Sequence, residues 1–291
     1  MKKKAKLILG GGSAYGLAHI GVLAAVEEEF EITGIVGTSM GAIVGALYSQ
    51  GLGIAGILDC AQNFNRSELF NPLNLDITLS GIYDGKATLK QFRNWTGAKD
   101  ISTGRIPYIA VAYDLLKSCS VLIDKGQYAD AMRASSSLPY VFAPYAYDHY
   151  LFVDGGVEHP LPVAFGDRVP GEICIAVNVL PPVSLKAETI VLKGSKARAR
   201  IRSHQVFLQS ILQNQGFVAI ESLINHPPDI VIDAYDPGSS VLDLSKAQRF
   251  YDFGYAKATR ALADHKKPDF TSQLIKGYQK LLSRIKFKLE S

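Results

Sequence analysis

The sequence predicts an α/β protein in which helices pack on a largely parallel sheet. Short apolar runs at residues 5–9 and 32–36 each precede a helical pattern, at residues 16–29 and 39–50. This order of strand and helix, repeated within about 50 residues, is typical of βαβ units, whose strands lie parallel. The same patterns predict strands at residues 108–113, 120–123, 150–154, 173–179 and 229–234, and helices at residues 87–95, 127–135, 201–224, 243–264 and 272–286.

Length and composition fit one globular domain. The chain has 291 residues, of which 47% are hydrophobic and 20% are charged, so it can bury one large core. Because no linker-like segment divides it, we expect residues 1–190 to form the α/β core. Residues 191–291 are expected to complete the same domain with helices and one sheet strand. The net charge of +4 is too small to indicate nucleic acid, and no motif for reading it is present.

Cysteine usage and the N-terminus favour a cytoplasmic protein. Cys60, Cys119 and Cys174 are an odd, widely spaced set, unlike a disulfide framework or a zinc site. The basic N-terminus resembles a signal peptide, but three glycines at residues 10–12 interrupt the apolar run that follows it. No run reaches the roughly 20 apolar residues of a transmembrane helix. We therefore expect a cytoplasmic location, and peripheral contact with a membrane stays open.

Residues 37–41, Gly-Thr-Ser-Met-Gly, match the GxSxG pattern of a nucleophilic serine. In that chemistry the serine lies on a sharp turn between a strand and a helix, where Gly37 and Gly41 relieve the crowding that the turn creates. The strand and helix predicted on either side provide this context. The pattern alone fits equally well a helix N-terminus capped by Thr38 or Ser39.

A glycine loop at residues 10–16 lies between the first strand and the first helix. Such a loop exposes backbone N–H groups at the positive end of a helix, where an anion binds. The dinucleotide fingerprint GxGxxG does not fit, because Ser13 stands where its middle glycine would be. The P-loop pattern does not fit either, since no Gly-Lys-Ser/Thr closes the loop. The remaining interpretation is an oxyanion hole for the serine that follows.

Asp154 ends a predicted strand and is followed by two glycines. Active sites of α/β sheets lie at the carboxyl ends of strands. An ordinary Asp-Gly turn is the commoner origin of such a sequence, so a catalytic role for Asp154 depends on the serine and the glycine loop. His149 and His159 flank Asp154 and are the candidates for a catalytic triad. A triad is not favoured, because His159 follows Asp154 too closely for the aspartate to lie behind the imidazole.

Four segments together resemble the patatin-like phospholipase family, specifically its bacterial members. They are residues 9–23 (LGGGSAYGLAHIGVL), 34–41 (GIVGTSMG), 133–144 (RASSSLPYVFAP) and 153–156 (VDGG), in the family's order. The resemblance implies a three-layer α/β/α fold. It also implies hydrolysis of acyl esters, usually in lipids, by a Ser–Asp dyad without histidine. No metal or organic cofactor is needed for this chemistry.

The resemblance assigns roles by position. Ser39 corresponds to the nucleophile, and Asp154 corresponds to the base, whose pKa burial would raise into a useful range. The expected substrate is a lipid or another acyl ester. The predicted oxyanion hole consists of Gly11, Gly12, Ser13 and the N–H of Met40.

One position departs from the family. The family usually has Arg, or sometimes Lys, before the final glycine of the loop, where this chain has Tyr15. If that cation supports the oxyanion or binds a phosphate head group, its loss changes the rate or the head-group preference. Two alternatives therefore stay open. One is a catalytically weak or inactive member that binds a lipid or a protein, and the other is a carboxylesterase or thioesterase acting on small soluble compounds.

Two further segments bear on the substrate. Residues 66–85 are rich in apolar side chains and poor in regular structure, which favours a loop packed on the core over a mobile cover above an apolar cleft. Residues 271–291 alternate apolar and basic residues at helical spacing. Such a helix either docks on the domain with a solvated basic face, which is favoured, or lies on an anionic membrane. Residues 193–202 carry further basic residues.

Overall fold

The computed structural model describes residues 1–64, 75, 80–182, 203–241, 243–267 and 269–290, and of residues 203–206, 208–209 and 285–290 the backbone alone. Most of the apolar segment predicted at residues 66–85, and all of the basic segment at residues 193–202, therefore lie outside the described residues. The strands are β1 Lys3–Leu9, β2 Phe30–Thr38, β3 Gly81–Tyr83, β4 Tyr108–Asp114, β5 Cys119–Ile123, β6 Tyr140–Phe142, β7 Tyr145–Tyr147, β8 Tyr150–Asp154, β9 Ile173–Asn178 and β10 Ile230–Asp233. The helices are α1 Ala18–Glu29, α2 Met40–Ser49, α3 Gly53–Gln62, α4 Lys86–Thr96, α5 Tyr128–Ser135, α6 Ser203–Asn225, α7 Ala247–His265 and α8 Phe270–Glu290.

The fold is the predicted three-layer α/β/α arrangement around a mostly parallel sheet. Within the described part of the chain, eight strands form this sheet in the order β10-β9-β1-β2-β4-β8-β7, with β5 paired to β4. The first five strands of that order pair in parallel, and the pairs β4–β5, β4–β8 and β8–β7 are antiparallel. Leu7, Ile8 and Leu9 of β1 are fully buried, as expected for a strand covered on both faces.

Helices cover both faces of the sheet because the crossover connections add strands in opposite directions along it. The chain moves from β1 through α1 to β2, and then on to β4 through a connection that begins with α2. Since crossovers between parallel strands are right-handed, α1 and α2 lie on one face. The connection from β9 through α6 to β10 steps the opposite way and so lies on the other face. α7 then returns to pack along α1.

One strand edge brings distant residues together. β5 pairs with β4 along residues 110–114, so β2 and β8 must share the other edge of β4. On that edge Thr38 of β2 lies opposite Val111, and Asp154 of β8, which runs the other way, lies opposite Ala112. The carboxyl ends of β2 and β8 therefore meet head to head.

The C-terminal helix α8 docks on the domain through its described side chains. Ile275 and Leu282 are buried, and the Tyr278 hydroxyl donates to the carboxylate of Asp233 at the end of β10. This agrees with the interpretation favoured from the sequence. None of the helices in the described ranges is both long and apolar enough to cross a membrane.

Candidate active site

Ser39 lies on the sharp turn between β2 and α2 that the sequence predicts. Its backbone has φ of 54° and ψ of −122°, a conformation that is strained for a residue with a side chain. A Cβ atom on Gly41 would lie 2.3 Å from Leu9 O, so a glycine is required there for α2 to pack against β1. The Ser39 side chain does not cap the helix, and the Thr38 hydroxyl donates instead to His159 O at 2.8 Å. The capping interpretation therefore fails.

Asp154 is buried beside Ser39. Ser39 and Asp154 line the same cavity, where the Ser39 hydroxyl interacts with the Asp154 carboxylate, and Gly156 N–H donates to Asp154 Oδ1 at 2.8 Å. Burial raises the pKa of Asp154 to about 6, although the Ser39 hydroxyl and the Gly156 N–H both favour the ionised form. The carboxylate can therefore be ionised near neutral pH and is a stronger base than an exposed aspartate.

The histidines flanking Asp154 do not complete a triad. His149 Nδ1 lies 2.6 Å from a carboxylate oxygen of Asp148 on an exposed turn, and the His159 ring packs edge-on against Phe165. Neither ring hydrogen-bonds to Asp154 within the described part of the structure. No group of three or more His, Cys, Asp or Glu side chains among the residues described is arranged to hold a metal ion.

The glycine loop approaches Ser39, but its N–H groups are not equivalent. Gly11 N–H donates to Pro160 O at 2.8 Å, so the oxyanion role predicted for this group is not available in this conformation. The N–H groups of Gly12 and Ser13 have no acceptor among the described residues. Met40 is the first residue of α2, where an N–H has no intrahelical acceptor. Gly12, Ser13 and Met40 line the same cavity as Ser39.

His19 fixes the start of this loop by a hydrogen bond to its first residue, Gly10. It is fully buried in α1, and its Nε2 lies 2.7 Å from Gly10 O. Because a carbonyl oxygen only accepts, Nε2 carries the proton. Burial lowers the pKa of His19 to about 4, so the ring is neutral at neutral pH. The peptide between Gly10 and Gly11 is thus held at both ends, by His19 at its carbonyl and by Pro160 at its N–H.

The segment at residues 133–144 supports both candidate residues. Ser135 Oγ accepts the Ser39 N–H at 2.9 Å and donates to Val111 O at 2.6 Å. Asp154 N–H donates to Ser137 O at 3.0 Å. Buried Arg133 donates to the Ser137 hydroxyl and to backbone carbonyls around it. The segment therefore holds the ends of β2 and β8 in place.

Ser39 and Asp154 face a cavity of about 170 Å³. It extends between α2, α3 and α4, and its wall is almost wholly apolar. The contribution of α3 is missing from the sequence prediction, although apolar residues at 54, 57, 58 and 61 follow helical spacing and could have indicated it. The main apolar side chains of the wall are Leu17, Ile20, Ile43, Leu47, Ile57, Phe92 and Trp95.

Tyr15 lies in the core and not among the residues that line the cavity. Its ring packs edge-on against Tyr235 with centroids 4.9 Å apart, and its hydroxyl donates to Ser239 O at 3.2 Å. Burial raises the pKa of the phenol, which stays neutral. Tyr15 thus connects the glycine loop to the segment that supplies Val241 and Leu244 to the cavity.

A serine on a sharp turn from a strand to a helix is the position of the nucleophile in α/β serine hydrolases, and here a buried carboxylate lies beside it. The chain belongs to the patatin-like phospholipase family, whose sequence pattern matches residues 7–165. An uncharacterised NTE family protein of Mycobacterium tuberculosis is 38% identical over 174 residues, which cover 60% of this chain and 48% of that protein. The chain therefore matches about half the length of that relative.

Two further similarities are more distant. Neuropathy target esterase of Drosophila melanogaster is 28% identical over 179 residues, or 60% of this chain and 13% of that protein. Among solved structures, VipD from Legionella pneumophila is 13% identical, with a TM-score of 0.48 over 91% of this chain and 67% of that one.

The position of Tyr15 predicts a structural and not a catalytic role. We expect Tyr15→Phe to lower the free energy of unfolding by about 1 kcal/mol, because one buried hydrogen bond is lost. Urea denaturation measures this change, with Tyr147→Phe on the exposed surface as the control. Labelling of Ser39 by a fluorophosphonate should be unchanged. Loss of labelling at unchanged stability would mean that the Tyr15 hydroxyl acts in the site.

Proposed function

We propose that this chain is a serine acyl hydrolase that cleaves the acyl esters of lipids, of phospholipase A or lysophospholipase type. Ser39 is the nucleophile and Asp154 is the base. The observation that carries the proposal is the position of Ser39, on a sharp strand–helix turn next to a buried carboxylate at the wall of an apolar cavity.

In the first half of the reaction Ser39 Oγ attacks the ester carbonyl carbon while Asp154 takes its proton. Charge develops on the carbonyl oxygen, and the N–H groups of Gly12, Ser13 and Met40 are the donors that stabilise it. The alcohol part of the ester leaves with the proton held by Asp154. Water then hydrolyses the acyl-enzyme. The raised pKa of Asp154 suits both directions of proton transfer near neutral pH.

The cavity supports an acyl chain as the recognised part of the substrate. Its wall is formed by aliphatic and aromatic side chains, and each methylene buried there contributes about 0.8 kcal/mol. A small soluble ester would leave most of this surface unused, so the cavity favours long-chain esters over the carboxylesterase and thioesterase alternative.

The core position of Tyr15 weakens the case for an inactive family member. That alternative rested on the missing cation. The side chain that replaces it packs against Tyr235, away from the cavity, and leaves the N–H groups of Gly12 and Ser13 without an acceptor among the described residues. This arrangement therefore favours an active enzyme over a catalytically inactive family member.

Peripheral contact of α8 with a membrane would rest on its exposed basic side chains and not on insertion of its apolar ones. The apolar side of α8 is turned to the domain at Ile275 and Leu282, whereas Lys276, Lys280 and Arg284 are exposed. These cations are available to the phosphates of an anionic lipid surface, where each contributes about 1 kcal/mol.

The dyad predicts a specific loss and a specific pH dependence. Ser39→Ala should abolish hydrolysis of p-nitrophenyl esters, and Asp154→Asn should reduce kcat by about a hundredfold or more. Because Asp154 must be ionised to accept a proton, kcat/KM of the wild type should fall as the pH drops through about 6. Asp148→Asn, on the exposed turn, is the control. Full activity of Asp154→Asn would exclude this residue as the base.

The contact of His19 with Gly10 predicts different results for two substitutions at position 19 that introduce a side-chain amide. In His19→Gln the amide nitrogen reaches the position of Nε2, whereas in His19→Asn it reaches only that of Nδ1. We expect Gln to preserve kcat and Asn to lower it by about tenfold to a hundredfold at similar KM, because the oxyanion donors shift. Rates are divided by the number of sites that a fluorophosphonate titrates. Equal rates in both variants would contradict the positioning role.

The basic face of α8 predicts charge-dependent membrane binding. Changing Lys276, Lys280 and Arg284 together to Glu should reduce flotation with vesicles that contain phosphatidylserine, and added salt should weaken binding of the wild type. Changing Lys2, Lys3 and Lys4 together to Glu, at the opposite end of the chain, is the control. Equal flotation of the α8 variant and the wild type would rule out this surface.

A further inference from the structure

The part of the chain beyond the matched family segment contributes a polar side chain to the cavity. Gln215 lies in the middle of α6, outside residues 7–165, and is buried. It lines the cavity together with Ser39 and Asp154, and apolar Ile211 and Leu212 from the same helix lie beside it. A buried amide on this otherwise apolar helix face requires hydrogen-bond partners.

One residue connects the Gln215 amide to Asp154. Gln215 Nε2 donates to Gly156 O at 3.1 Å, and Gly156 N–H donates to Asp154 Oδ1 at 2.8 Å. A Cβ atom on Gly156 would lie 2.6 Å from Gln215 Nε2 and 3.0 Å from Asp154 Oδ1. The second glycine after Asp154 is therefore what allows the amide of Gln215 to lie beside the carboxylate.

The orientation of the amide leaves its oxygen free. Gly156 O only accepts hydrogen bonds, so the amide nitrogen faces it and Oε1 is at the other end of the group. Oε1 has no hydrogen-bond partner among the described residues. Oε1 is also not fully buried, because the described side-chain atoms that are both buried and without a partner are His19 Nδ1, Gln50 Oε1, Thr88 Oγ1 and Asp114 Oδ2. Oε1 is therefore an accessible acceptor in a residue of the cavity wall.

We propose that Gln215 Oε1 orients the water that hydrolyses the acyl-enzyme, an inference that rests on the proposed function. The water donates one hydrogen to Asp154 and the other to Gln215 Oε1, so that a lone pair of its oxygen faces the acyl carbon. The bond from water oxygen to that carbon forms while Asp154 takes the proton. The bond from the carbon to Ser39 Oγ then breaks, and the proton passes from Asp154 to Ser39.

This role affects one half of the reaction. Acylation transfers a proton directly from Ser39 to Asp154 and involves no water, whereas deacylation depends on the position of the water. Removing Oε1 should therefore slow deacylation far more than acylation. A residue that only supported Asp154 through Gly156 would slow both steps alike, because Asp154 is the base in each.

Rapid mixing with a long-chain p-nitrophenyl ester separates the two steps. We expect Gln215→Leu to acylate at close to the wild-type rate and to deacylate at least about tenfold more slowly. Nitrophenol should then appear as a burst that approaches the number of sites titrated by a fluorophosphonate, followed by a slow steady phase. Gln213→Leu, the same change at an exposed position of α6, is the control. Gln215→Met provides a second variant of similar shape if Gln215→Leu does not fold.

Hydroxylamine distinguishes the outcomes further. As a strong nucleophile at high concentration it depends less on orientation than water does, so it should accelerate turnover of Gln215→Leu more than that of the wild type. Equal slowing of both steps, or an unchanged deacylation rate, would overturn the proposal. A wild-type chain that forms no acyl-enzyme would instead refute the proposed function, and this result is seen before any variant is compared.

Discussion

The whole site depends on how two strands share one edge of β4. Thr38 and Asp154 end β2 and β8 opposite the adjacent residues Val111 and Ala112. The relative position of Ser39 and Asp154 is therefore set by hydrogen-bond ladders, and hydrogen bonds from Ser39 N–H to Ser135 and from Asp154 N–H to Ser137 reinforce it. A site held by sheet register is more rigid than one held by loops, which is what the proposed proton transfer between the two side chains requires.

Burial gives the site its chemistry at a cost in stability. The pKa of Asp154 in the folded chain, about 6, lies above the ordinary value of an aspartate. The unfolded chain therefore binds the proton less tightly, and ionisation of Asp154 at neutral pH disfavours the folded state. The Ser39 hydroxyl and the Gly156 N–H, which both favour the ionised form, offset part of this cost. The buried imidazole of His19 holds the carbonyl of Gly10 in the glycine loop and, because it is neutral, adds no second buried charge.

Local patterns in the sequence predicted the parts of the site that depend on local structure. The turn at Ser39, the strand that ends at Asp154 and the glycine loop follow from short motifs and apolar runs, and all three are observed. The engagement of Gly11 N–H by Pro160, the core position of Tyr15 and the approach of Gln215 to Gly156 could not be predicted. Each depends on a contact between segments far apart in the chain, for which a single sequence contains no signal.

The Ser39–Asp154 dyad is tested most directly by the rate at which Ser39 forms a covalent adduct. Intact-mass measurement of the protein mixed with a fluorophosphonate, followed by peptide mapping, reports both the residue and the rate. One adduct per chain on Ser39, forming more slowly as the pH falls through about 6 and much more slowly in Asp154→Asn, is the predicted result. An adduct on another residue, or a rate independent of Asp154, would contradict the dyad.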